Sequence, residues 1–170
     1  MAFVSRRLVL AGLAVFLAAG PAFAGTPAPG DPTAPVAALY AVEKAGRPAL
    51  DDIADRAATL TVRLAALYDR AKAVERATNE EVIDFDAVTN SQGAEVKSYA
   101  LKVEQRDATH AVVVATIDPG DWGRASPREN IIRFTLVVEQ GRWRIDDIAG
   151  VAEPTAWSLR DIIDHNLRQK

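Results

Sequence analysis

The chain has 170 residues, a net charge of −3, two histidines and no cysteine. The missing cysteine excludes disulfides and a lipid-attachment thiol, and with only His110 and His165 as imidazoles a transition-metal site is not expected. Lysine and arginine alternate with aspartate and glutamate along the chain, so no basic face is offered to nucleic acid.

The first residues combine a basic start (Arg6, Arg7), an apolar stretch from Leu8 to Ala19 and the small-x-small triplet Ala22-Phe23-Ala24. This is the pattern of a cleavable export signal. The stretch is shorter than the ~20 residues that cross the hydrocarbon core, so no membrane span is expected after cleavage behind Ala24. Ser5-Arg6-Arg7-Leu8-Val9-Leu10 also fits a twin-arginine signal, and both export routes stay open. The expected location is the periplasm or the exterior, without a lipid anchor. Loss of Arg6 and Arg7 takes the net charge from −3 to −5.

Residues 25–30 have no periodic apolar pattern and read as a flexible leader, with one domain expected over 31–170. Asp31 can cap a first helix whose opening turn tolerates Pro32 and Pro35, with Val36, Leu39 and Tyr40 on one face. Gly46 and Pro48 end it. Leu50, Ile53, Ala57, Leu60, Leu64, Leu67, Ala71 and Val74 then recur at spacings of three and four. Small residues in that stripe and the β-branched Thr59 and Thr61 favour two shorter helices on a sheet over a coiled-coil seam.

After Asn79 the period changes to two. Tyr99, Leu101 and Val103 mark one strand, Ala111 to Ile117 a second, and Ile132 to Val138 a third. Gln140-Gly141-Arg142 predicts a tight hairpin joining 131–140 to 142–148, with Trp143 and Ile145 buried. Asp118-Pro119-Gly120-Asp121 opens a long loop that carries Trp122. Ser158 can cap a closing helix bearing Leu159, Ile162, Ile163 and Leu167. Helices, then an antiparallel sheet, then a helix predict an α+β domain with helices against one face of a curved sheet.

Several segments together carry a family resemblance. Leu64-Ala65-Ala66-Leu67, Asp84-Phe85-Asp86 followed by Asn90 and Gln92, Trp143-Arg144-Ile145-Asp146-Asp147-Ile148, and Ser158-Leu159-Arg160 resemble domain-of-unknown-function family 3828, found in exported and lipid-anchored bacterial envelope proteins. The resemblance spans Pro35 to Leu167. It implies a cone-shaped fold of the nuclear transport factor 2-like (cystatin-like) kind, and no agreed activity. Ala87 stands where that family usually has proline, and Gly93 where it usually has an acidic residue.

The chemistry-bearing candidates are few. Asp84 and Asp86, if both faced a pocket, would raise one another's proton affinity and suit a general base, with Tyr99 or His110 helping. The alternative is that they shape a turn through backbone amides. Strand alternation puts Asp147 on the side of Trp143 and Ile145, facing a pocket or capping a helix, with Arg160 as its partner or that of Asp146. Trp122 is a candidate contact residue. No cofactor motif and no metal spacing is present. The first reading is a non-catalytic domain that binds a small ligand or an envelope protein. A small pocket enzyme of hydrolase or isomerase type is the second, and a structural homodimer the third.

Overall fold

The computed structural model describes residues 29–92, 96–120 and 126–170. Trp122 and Gly93 lie outside them. Asp31 accepts a hydrogen bond from the Thr33 amide (2.9 Å) and opens α1, Thr33–Lys44. Val36, Leu39 and Tyr40 are fully buried, as the spacing predicts. Gly46, at φ 73°, takes the left-handed turn that ends the helix.

The second helical region divides in two. α2 runs Ile53–Thr59 behind an Asp52 cap, and α3 runs Val62–Thr78 behind a Thr61 cap and closes on Asn79 in left-handed conformation. Leu60 and Thr61 between them are extended, and the Thr61 amide donates to the Ile145 carbonyl (2.9 Å), so the break is pinned to the sheet. That break rotates α2 and interrupts the apolar stripe. Leu60, Leu64 and Ala71 are buried, but Ile53 is 70% exposed and Ala57 is exposed too. Arg56 and Thr59 hold the buried side of α2 instead.

The sheet is an antiparallel meander in the order β1-β2-β3-β4-β5. Its strands are β1 Ser98–Arg106, β2 His110–Asp118, β3 Ile131–Glu139, β4 Arg142–Ala152 and β5 Thr155–Ser158, and α4 (Leu159–Leu167) follows at once. Gln140 and Gly141 both have positive φ (53° and 74°), which makes the two-residue turn between β3 and β4 a type I′ turn. β4 extends four residues past the predicted end at Ile148 and turns back into β5, a strand the sequence pattern does not announce. Bulges at Val103/Gln105 and at Thr135/Leu136 bend the sheet.

One face of this sheet carries the core. Ala111, Val113, Ile132, Phe134, Leu136, Trp143, Ile145 and Ile148 meet α1, α3 and α4 there, and every one of them is buried. Tyr40 stacks on Tyr99 (centroids 4.5 Å apart), stands edge-on to Phe134, and donates to the Val88 carbonyl (2.9 Å). The architecture is therefore α+β, helices on one side of a bent antiparallel sheet that does not close. No described helix is long and apolar enough to cross a membrane.

The bulge also corrects the expected faces of the two aspartates. Ile145 and Ile148 are both buried, three residues apart, so alternation is broken between them. Asp147 pairs in register with Thr135, on the face away from Trp143 and Ile145.

Candidate functional site

The four catalytic candidates are not brought together. Asp84 is exposed, whereas Asp86 turns inward and its carboxylate accepts the amides of Val88 (2.7 Å) and Thr89 (3.3 Å), the turn-shaping role. Backbone bonds between Asp86 and Ser91 close that turn. Tyr99 is packed under Tyr40. His110 lies at the β1–β2 turn, exposed, where its Nδ1 meets the Thr109 hydroxyl (2.9 Å) near Asp107.

The carboxyl that faces Asp86 is that of Glu43, near the end of α1. Burial, then the neighbouring Asp86 charge, push Glu43 up to about 8. Asp86 is also raised, by burial, against the pull of its amide donors. At neutral pH the pair holds a proton, with Glu43 accepting the Ala49 amide (2.5 Å). This couples α1 to the 84–92 loop.

Asp147 and Arg160 are structural ties. Asp147 accepts the Ser158 hydroxyl (2.7 Å) and the Arg160 amide (3.2 Å), so a side chain from β4 satisfies a free amide in the first turn of α4. Burial raises its proton affinity. The Arg160 guanidinium binds Asp146 (2.7 Å), which in turn accepts the Thr61 hydroxyl (3.1 Å). These residues bolt β4, α4 and the α2–α3 break together.

The open surface lies elsewhere, around Trp157 on β5. Its indole ring rests on Gly150, its cross-strand partner, where an added Cβ would sit 2.6 Å from the ring. Phe85 meets the ring edge-on at 4.9 Å, and the indole N–H donates to the Asn90 side chain (2.9 Å). Asn90 in turn donates to the carbonyls of Glu129 (3.0 Å) and Val151 (2.9 Å). The 84–92 loop and β4 thus hold one half-buried aromatic between them.

Three adjoining cavities share Trp157. One of about 350 Å³ lies between the 84–92 loop and the β4–β5 turn, floored by Phe85, Ala152 and Ile162 and rimmed by Asp84, Ser91 and Gln92. A second, about 660 Å³, runs along all four residues of β5 against Asp161, Ile162, His165 and Asn166 of α4. The third, about 300 Å³, opens on the opposite sheet face beside Arg128 and Arg133. No group of three or more histidine, aspartate or glutamate side chains placed to hold a metal occurs among the described residues.

Trp157 was not singled out by sequence reasoning. A local signal existed: Gly150 within a strand pattern asks what packs against it, and a tryptophan follows seven residues later across Glu153-Pro154. Compared with protein-family models, curated proteins and solved structures, the chain finds no match in any of the three.

Proposed function

We propose that this chain is an exported, non-catalytic binding domain whose recognition surface is the groove around Trp157. The observation that carries the reading is the indole packed on Gly150 and hydrogen-bonded to Asn90. An aromatic ring held by Gly150, Phe85 and Asn90 presents apolar area at little further entropic cost, and it does so between apolar walls with a few polar groups at the rim. Asp84, Phe85, Asn90 and Gln92, on one loop, line the first cavity beside it. Catalysis is the weaker reading because Asp84 reaches the groove without Asp86, Tyr99 or His110.

The test is native mass spectrometry of protein recovered from its own periplasm, beside Trp157→Ala and Trp157→Phe. The expected wild-type species starts at Gly25 and carries extra mass, which Trp157→Ala loses and Trp157→Phe partly keeps. Circular dichroism confirms that both variants are folded. Retention of the same mass by folded Trp157→Ala would overturn the site, and an N-terminus at Met1 would overturn export by cleavage.

A further inference from the structure

We infer that the groove takes an extended, basic polypeptide segment, which adds to the sheet beside β5 and points a cationic side chain at Asp84 or Asp161. The inference rests on the binding reading above and names its ligand class.

The two edges of the sheet are built differently. β1 carries a bulge and exposes Lys102, Glu104 and Arg106, the usual devices against pairing with another chain. β5, Thr155-Ala156-Trp157-Ser158, has neither charge nor bulge. Among the described residues its backbone bonds run only to β4, so its other side offers free amide and carbonyl groups. The cavity of about 660 Å³ follows that free side for the length of the strand, with α4 as its far wall. A trough between an edge strand and a helix has the shape of one more strand.

Side chains of an added strand alternate between faces. One set would drop toward Trp157 and Ile162, and the other toward the cavity beside Arg133 on the opposite face. Charge selects the sign of the ligand. Arg128 and Arg133 are already paired with Glu153 (3.1 Å) and Glu104. The carboxylates of Asp84 and Asp161 line the two cavities on the groove side and make no ion pair or side-chain hydrogen bond with a described residue. A basic peptide neutralises them, and an acidic one is repelled.

The experiment is selection of a displayed library of random nonapeptides on the intact exported chain, counter-selected on folded Trp157→Ala. The expected winners alternate apolar with other residues and include lysine or arginine. Made synthetically, a winner should lose about 3-fold in affinity on Asp84→Asn or Asp161→Asn, the scale of an exposed ion pair, and weaken with salt. N-methylation at one alternate set of its amides should abolish binding, and at the other set leave it intact. Equal tolerance of both sets, or winners without basic residues, overturns the inference. So does the absence of any enrichment over Trp157→Ala. In each of these cases the retained mass in native spectra still decides, separately, whether the groove binds a ligand.

Discussion

At the scale of single residues, the side chains that matter most are those whose partners are fixed by the fold. Arg56 is 4% exposed, and its guanidinium donates to the Leu50 and Asp51 carbonyls and to Asp69 while lying 5.2 Å from the Tyr68 ring. Lysine cannot supply that fork of donors. Arg56→Lys should cost about 2 kcal/mol and Arg56→Ala about 3 kcal/mol, because two carbonyls lose their donors, as read by urea unfolding. A loss under about 0.5 kcal/mol would mean water replaces the guanidinium. Gly150→Ala tests the indole platform. A methyl 2.6 Å from the Trp157 ring must push it off the sheet, so the expected result is a loss of about 1–3 kcal/mol and a changed near-ultraviolet circular dichroism signal. An unchanged spectrum would show that the ring does not rest there.

At the scale of elements, α4 is anchored from outside itself. Ser158 accepts the Asp161 amide within the helix, whereas Asp147 reaches from β4 to the Arg160 amide and to the Ser158 hydroxyl. Ser158→Ala and Asp147→Ala should each destabilise by about 1 kcal/mol. Because the two share a hydrogen bond, the double variant should cost less than the sum by about 0.5 kcal/mol or more, measured by a double-mutant cycle. Strict additivity would mean the two caps act independently. The 84–92 loop is the second anchored element. Asp86 shapes its turn and Asn90, at φ 52°, ties it to β4 and to Trp157.

At the scale of the whole molecule, the Glu43–Asp86 pair makes stability depend on pH. Both carboxyls bind their proton more tightly folded than unfolded. Their contribution is complete below the ordinary carboxylate range and is lost as pH rises through about 8, where Glu43 ionises beside Asp86. The wild type should therefore melt lower at pH 9 than at pH 6. Glu43→Gln keeps an acceptor for the Ala49 amide without the charge, and should raise the melting temperature at pH 9 by about 4 °C or more while matching wild type near pH 4. Parallel curves would show that Glu43 is solvated.

Much of this molecule was legible residue by residue. The Asp31 start of α1, the Gln140-Gly141 turn, the Asn79 stop and the Ser158 cap depend on backbone geometry within a few residues, so local spacing determined them, along with the α+β order of elements. What only the tertiary structure decided rests on partners far apart in the chain. Trp157 and Asn90 are 67 residues apart, Tyr40 and Val88 are 48 apart, and no local period encodes either meeting. The bulge that put Asp147 on the face away from Trp143 and Ile145, and the break that buried Arg56 in place of Ile53, are likewise set by where β4 meets its neighbours. Composition and periodicity determined most of the elements and the apolar faces of α1, α3, β2 and β3. Packing decided which side chains the elements leave at the open edge, because register across strands and between layers is a property of the assembled sheet.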